Sequence, residues 1–239
     1  MVFLQAFFLS GLILLKHLFD CLNTYRWYKS RISSPNLHIY RKDYKEIIEK
    51  TKELSKKVGI ETPELYVISS NHLLMMAFSF KIKNKRAILI NEQYAMSVSK
   101  DHLITSIAHE LGHFKENDSF NIPMMVVVSD FSLNLILNIA MVFSLAKIGL
   151  PNSMNLAISF ISASYTSYKI SQIVYKYLSR VSEYRADQYA YRLRGEELFD
   201  NMMRELQVIS PHSQESINDT HPTYEKRIKA VKPAFKKAG

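Results

Sequence analysis

The pentapeptide His109-Glu110-Leu111-Gly112-His113 combines residue types that bind a metal ion with one that moves a proton. On a helix, His109 and His113 are one turn apart and share a face, so both imidazoles can bind the same ion. In the pattern H-E-x-x-H the two histidines bind zinc, and the glutamate is the general base of a metalloprotease. The pattern alone leaves a second interpretation open, a solvated helix carrying two surface histidines.

A catalytic zinc ion normally has three protein ligands and one position left for water. Glu183 and Asp187 lie one turn apart on a second predicted helix and therefore share a face. Glu183 can complete a two-histidine, one-glutamate set, and Asp187 can hold a ligand histidine by its other ring nitrogen. The alternative is a surface helix whose acids pair with Arg180 and Arg185. The upstream metal motif and the apolar segments between the two helices favour the ligand.

Two of the apolar segments lie between these motifs. Ile122 to Ala146 contains one charge, Asp130, and is long enough to span a bilayer. Ser153 to Tyr168 is rich in small residues and is predicted to return through the membrane. Val2 to Leu15 has no charge but falls short of a full span of about 20 residues. We expect an uncleaved anchor there, because the basic region and cleavage site of a signal peptide are missing.

Asp130, Asn134 and Asn138 form a polar stripe along one face of the first of these spans. Such a stripe can line a cavity, but it more often supplies hydrogen bonds between neighbouring helices. We expect the second role. Gly112, within the metal motif, costs a helix roughly 1 kcal/mol relative to alanine, which suggests a closely packed neighbour.

Charge and composition bear on the partners. The chain has 239 residues and a net charge of +9, which could suggest nucleic acid. Eleven of its Lys and Arg residues, however, fall between Lys16 and Lys57, directly after an apolar N-terminus. That distribution is typical of a cytoplasmic region beside a membrane and predicts a lipid bilayer, with no nucleic acid, as partner. Cys21 is the only cysteine, which excludes an intramolecular disulfide and a cysteine-ligated zinc ribbon.

The remaining patterns predict a mostly α fold with a small β-sheet. Apolar residues recur at helical spacing between lysines from Tyr40 to Val58, which indicates an amphipathic helix. Ser97 or Ser99 can cap the helix that carries the metal motif. The predicted strands are Leu65–Ile68 and a β-hairpin of Leu73–Ile82 with Ala87–Ile90 around a charged turn.

Three motifs, HELGH, SRVSEYRAD and THPTYEKRI, together resemble the HtpX and CAAX-prenyl-protease family of integral-membrane zinc endopeptidases, which are gluzincins. The resemblance covers roughly Asn71 to Val231, and the motifs occur in the family's order with a membrane hairpin between the first two. It implies a gluzincin-like zinc protease domain with transmembrane helices. It also implies His109, His113 and Glu183 as the Zn²⁺ ligands.

The resemblance implies further roles. Glu110 would be the base, Asp187 would support a ligand, and Arg227 would be structural or supportive. His221 would bind substrate or stabilise the oxyanion, although it could instead cap the last helix before Pro222. Substrate backbone would pair with an edge strand within Met75 to Phe80, at Ala77, Phe78 and Ser79.

The chain departs from that family in its membrane segments. HtpX-type members usually have two spans before the metal helix, whereas this sequence has one short apolar stretch there. CAAX-type members have many spans, so prenylated substrates are not expected. The sequence divides into an anchor at residues 1–22 and a protease domain at residues 23–239, interrupted by a membrane hairpin at about residues 122–168.

The predicted function is a zinc-dependent endopeptidase acting on protein or peptide substrates, themselves membrane-associated, at the cytoplasmic surface of the plasma membrane. The chain would be a multi-pass integral membrane protein, with membrane-protein quality control as one role. A site-2-type intramembrane protease is disfavoured because charged residues surround the motif: Lys100, Asp101, Lys115, Glu116 and Asp118. The alternatives are a processing protease for a specific peptide precursor and a non-catalytic membrane scaffold with a vestigial zinc site. The sequence does not predict an oligomeric state.

Overall fold

The computed structural model describes residues 10–12, 15–16, 19–20, 23, 26, 41–68, 77–82, 85–149, 151–209 and 221–236. These residues are mostly helical, with one small sheet. They divide into two compact units. The mixed unit consists of residues 30–120 and 179–239, and the apolar unit consists of residues 1–29 and 121–178.

Helix α1, Tyr44–Val58, is the first element of the mixed unit and is amphipathic, as predicted. Its residues Ile47, Leu54 and Val58 recur at helical spacing and are buried, while the lysines lie on the other face. The helix ends at Gly59, whose φ of 73° places it in the left-handed region.

A three-stranded sheet follows, with β1 at Glu64–Ile68, β2 at Ala77–Ile82 and β3 at Lys85–Asn91. The strand order is β1-β3-β2, so β3 is central, parallel to β1 and antiparallel to β2. The predicted hairpin is confirmed as β2 and β3. Residues 73–76, which the sequence also assigned to its first strand, lie outside the described residues.

Helix α3, Lys100–Glu116, lies at the centre of the mixed unit and carries the metal motif. Ser99 caps it by accepting a hydrogen bond from the His102 amide at 3.1 Å, which decides between the two predicted caps. Leu103, Ile107 and Leu111 are fully buried along it. A short helix that the sequence did not predict, α2 at Glu92–Ser97, joins β3 to α3.

Four more helices complete the described chain: α4 at Asp118–Ala146, α5 at Asn152–Arg194, α6 at Glu196–Ile209 and α7 at Tyr224–Lys236. In the mixed unit α6 packs on α3 through buried Phe199, Met202 and Met203, and α7 packs against α6. The end of α5, from residue 179, also belongs to this unit.

The apolar unit contains one described helix long and apolar enough to cross a bilayer, Asn121–Ala146 within α4. The second predicted span, Ser153 to Tyr168, lies in α5. That helix is long enough to cross a bilayer but is not apolar enough by the same measure, so the second span stays a prediction. Most of the predicted anchor at residues 1–22 lies outside the described residues.

Asn134, the middle residue of the polar stripe, joins neighbouring segments of the apolar unit, as expected for the stripe. The Asn134 amide oxygen accepts hydrogen bonds from Ser10 and from Asn138, both at 2.7 Å. Its nitrogen donates to Ser164 at 3.2 Å and to Ser167 at 3.4 Å, both on α5. Asn134 is fully buried and satisfied on both sides of its amide, so it links helices and does not line an open cavity.

Candidate metal centre

His109, His113 and Glu183 converge on one point of the mixed unit. The two histidines come from α3 and the glutamate comes from the end of α5. One donor atom from each side chain lies within 4.8 Å of the others. The two Nε2 atoms are 3.1 Å apart, and each lies 3.5 Å from an oxygen of Glu183. The structure therefore brings together the three side chains that the sequence predicted to be ligands.

These separations are those of donors that one metal ion can bridge. With metal–ligand bonds of about 2.0–2.1 Å, two ligand atoms of a tetrahedron are about 3.3–3.4 Å apart, and the two Nε2 atoms are close to that value at 3.1 Å. The 3.5 Å separations run to different oxygens of Glu183, Oε2 from His109 and Oε1 from His113, and with one of these oxygens the three donors lie within 4.8 Å of one another. Two imidazole nitrogens and one carboxylate leave a fourth position, as in catalytic zinc sites.

Asp187 lies behind His109, where the sequence predicted a supporting residue. Its Oδ1 is 2.9 Å from the His109 Nδ1. Because the carboxylate only accepts, Nδ1 carries the proton and Nε2 is left with its lone pair directed at the other ligands. Arg227 donates to both Asp187 oxygens, at 2.6 and 2.7 Å, and lies 3.4 Å from Glu183. Arg227 thus compensates the buried charge of Asp187.

Asp118 has the equivalent position behind His113, and sequence analysis did not assign it this role. Its Oδ2 lies 3.1 Å from the His113 Nδ1 and accepts a hydrogen bond from Ser182 at 2.6 Å. Arg185 donates to Oδ1 at 2.9 Å. The signal in the sequence was Asn117 followed by Asp118, because asparagine favours a left-handed helix end and an acid favours the first turn of a new helix.

The site has more negative than positive charge. Glu110, Asp118, Glu183 and Asp187 are four buried carboxylates, whereas two arginines, Arg185 and Arg227, contact them, and Arg185 also pairs with Glu116. The excess of at least two negative charges matches a divalent cation.

The pKa values in the metal-free site reflect the same charge imbalance. Burial would lower the pKa of His113, but its hydrogen bonds with Asp118 and Glu183 outweigh burial and raise the pKa to about 10. Burial would raise the pKa of Glu183, yet the charges of His109 and Arg227 and the hydrogen bonds of His113 and His221 hold it well below its ordinary value. The negative site therefore binds protons when it holds no metal ion.

The other predicted residues surround the three ligands. Glu110 is buried beside them, close enough for its charge to favour protonated His113. The exposed His221 has its Nδ1 3.2 Å from Glu183. At the start of α7 the Thr223 hydroxyl accepts a hydrogen bond from the Lys226 amide at 3.4 Å, so Thr223 acts as a cap there, and the capping role of His221 stays a prediction.

Strand β2 contains the predicted substrate-binding residues 77–79. It pairs with β3 on one side and packs against α3, and no other described strand pairs with it. The strand with an edge unpaired among the described strands is thus also a neighbour of the helix that carries the metal motif.

Comparison with known proteins identifies the family. The model of "Peptidase family M48" matches residues 41–234, well over half of the chain. The chain belongs to peptidase family M48. Protease HtpX of Shewanella halifaxensis is 24% identical over 210 residues, which are 78% of this chain and 72% of the relative. Protease HtpX of Acinetobacter baumannii is 24% identical over 212 residues, 77% of this chain and 70% of the relative.

The crystal structure of S. mikatae Ste24p has the same fold, with a TM-score of 0.59 and 20% sequence identity. The match covers 77% of this chain but 49% of Ste24p, so the chain spans about half of that protein. The predicted family, the mostly α fold class and the enzyme class of metallopeptidase are confirmed. The coarse function, a membrane metalloprotease acting on peptides or proteins, is confirmed as well.

Proposed function

We propose that this M48 peptidase is a zinc-dependent endopeptidase whose ligands are His109, His113 and Glu183. The observation that carries the proposal is the convergence of two imidazole nitrogens, 3.1 Å apart, on a carboxylate whose two oxygens each lie 3.5 Å from one of them. Cobalt and other divalent ions accept similar donors, so the choice of zinc rests on the two-histidine, one-glutamate composition of the donor set.

His109, His113 and Glu183 would hold the metal ion, which when bound would supply Lewis acidity towards the scissile carbonyl and the attacking water. Other residues of the chain bind the substrate, transfer the proton and position the ligands. The Glu110 carboxylate accepts the proton of that water and returns it to the leaving amine. His221, exposed beside Glu183, is placed to donate to a substrate oxygen. Residues 77–79 of β2, on the edge that pairs with no other described strand, offer main-chain hydrogen bonds to an extended peptide. Asp187 and Arg227 hold His109 in place.

The location of the site is part of the same proposal. The chain has an anchor at residues 1–22 and a protease domain at residues 23–239, interrupted by a membrane hairpin at about residues 122–168. Asn121–Ala146 supports the first span of that hairpin. The basic residues between Lys16 and Lys57 support a cytoplasmic position for the active site in a multi-pass plasma-membrane protein. Quality control of membrane proteins is the favoured role, and processing of a specific peptide precursor is the alternative.

Detergent-solubilised full-length chain tests the proposal in two measurements, metal content and cleavage of casein. We expect one zinc ion per chain and cleavage that stops on addition of a chelator and returns with zinc. His113→Ala should lose both the ion and cleavage. Stoichiometric zinc without any cleavage would favour a non-catalytic scaffold, and cleavage that survives complete removal of metal would overturn the mechanism.

A further inference from the structure

We propose that Asp118 is a positioning residue of the metal centre, which fixes His113 through Nδ1 as Asp187 fixes His109. The inference rests on the proposed metal site and adds to it a second support for the ligands. Asp118 contacts His113 at Nδ1, whereas the donor that faces the other ligands is Nε2, so Asp118 acts through His113.

The Asp118 carboxylate is held from several sides. Ser182 donates to Oδ2 at 2.6 Å, and Arg185 donates to Oδ1 at 2.9 Å. Oδ2 also lies 3.1 Å from the Nδ1 of His113. Asp118 is 5% exposed, so water competes little for these bonds. A carboxylate fixed at both oxygens can hold the imidazole in one orientation and one tautomer.

The break between α3 and α4 makes this contact possible. On an unbroken helix, a residue five positions after His113 would lie about 140° around the axis and would face away from it. Asn117 adopts the left-handed conformation, with a φ of 57°, and its amide hydrogen-bonds to Phe114 and His113 carbonyls. The chain then restarts as α4 with Asp118 in its first turn, which returns the side chain to His113.

The two supporting carboxylates also connect the ligand histidines to α5. Ser182 precedes the third ligand, Glu183, and its hydroxyl lies 3.0 Å from the His113 Nδ1 as well as bonding to Asp118. Arg185 lies on the same helix. Asp118 therefore fixes His113 relative to Glu183, and its loss should loosen the donor set without removing any donor.

The test compares metal affinity in the full-length protein with Asp118→Asn. Zinc affinity is measured by competition with a chelator of known affinity, and the visible absorption of the Co²⁺-loaded protein reports ligand geometry. We expect Asp118→Asn to weaken zinc binding by about 10- to 100-fold and to change the Co²⁺ spectrum. Asp118→Glu, which restores a carboxylate, should recover part of the affinity.

Glu116→Gln is the matched control. Glu116 also pairs with Arg185, at 3.4 Å, and accepts from Tyr189 at 3.0 Å, two partners outside the set of proposed ligands. The Glu116→Gln substitution should leave zinc affinity and the Co²⁺ spectrum unchanged. If Asp118→Asn does not fold, Ser182→Ala replaces it, and we expect that variant to weaken zinc binding by a smaller factor with a spectral change of the same kind.

The outcomes separate this inference from the proposed function. Parent-like zinc affinity and Co²⁺ spectrum in folded Asp118→Asn, or in Ser182→Ala as its replacement, would overturn the positioning role while the proposed site stands. A parent protein that binds no zinc would overturn both. A lower unfolding temperature with unchanged metal affinity would show that Asp118 only stabilises the fold and would likewise overturn the positioning role.

Discussion

Gly112 lies so close to Ala186 that a β-carbon on Gly112 would come within 2.8 Å of the Ala186 Cα. It would also come within 3.1 Å of the Tyr189 Cβ. Gly112 precedes His113 on α3, and Ala186 follows Glu183 by three residues on α5, so the contact joins the two helices beside the ligands. The glycine that weakens α3 is therefore the one that lets the third ligand approach.

Replacing Gly112 by alanine should force α3 and α5 apart, because the obstructing atom belongs to the backbone of Ala186. We expect weaker metal binding and a lower unfolding temperature, measured as zinc retained during dialysis against a weak chelator and by thermal unfolding. Gly11→Ala is the control, since a β-carbon there meets nothing within 4 Å. Full zinc retention in Gly112→Ala would show that the contact does not set the ligand distance.

Changing Glu110 to glutamine should separate metal binding from catalysis. The amide is nearly the same shape as the carboxylate but cannot accept the proton of the attacking water. We expect parent zinc content and a fall in casein cleavage of about 10²- to 10⁴-fold. His113→Ala, which removes a donor, is the contrasting variant and should lose the ion itself. Cleavage by Glu110→Gln at the parent rate would refute the role of Glu110 as base.

The sequence predicted the donor residues because their chemistry is visible in short patterns. His109, His113 and Glu183 have ligand side chains at helical spacing, and Asp187 lies one turn beyond Glu183. The sequence did not predict the role of Asp118. That role depends on the left-handed conformation of Asn117 and on contacts with Ser182 and Arg185, which are more than sixty residues away along the chain.

The fold shows the same division between local and long-range features. Helix α1 and the hairpin of β2 and β3 follow from local periodicity and a charged turn. The parallel pairing of β1 with β3 depends on tertiary contacts that periodicity does not encode. The 43-residue α5 follows from local pattern as well, because the helical pattern of the second apolar segment continues along the sequence to the residues around Glu183.

Removing the positive charge of Arg227 should destabilise the mixed unit. Its pKa is raised by Asp187 against the effect of burial, and the buried Asp187 relies on it for both oxygens. Arg227→Met should leave that buried carboxylate without its charged partner and with only its hydrogen bond to His109, at a cost of about 3–5 kcal/mol in the free energy of unfolding. Equilibrium unfolding in denaturant measures this change in the free energy of unfolding. Lys232→Met on the same helix removes partly exposed ion pairs with Asp200 and Glu196 and should cost much less.

A loss of stability below neutral pH should be traceable to His102. Its side chain is 1% exposed. Nε2 lies 2.8 Å from the Tyr94 hydroxyl, and Nδ1 lies 2.6 Å from Glu205. Burial lowers the pKa of His102, and the hydrogen bond and charge of Glu205 oppose that effect without cancelling it. The folded protein therefore holds His102 neutral at a pH where the unfolded chain, with a pKa of about 6.5, already binds the proton.

The sign of the effect follows from proton binding. Where the unfolded state binds more protons, stability rises with pH, so the contribution of His102 is complete above about pH 6.5 and is lost as pH falls towards its folded pKa. The unfolding temperatures of the parent and of His102→Gln should be measured from about pH 7.5 to 5. We expect the unfolding temperature of the variant to fall less steeply with decreasing pH than that of the parent. The carboxylates with lowered pKa values, Asp118 and Asp187, titrate in a more acidic range and affect both proteins alike. Equal slopes in the two proteins would mean that His102 accepts its proton in the folded state as readily as in the unfolded chain, with Glu205 compensating fully for burial.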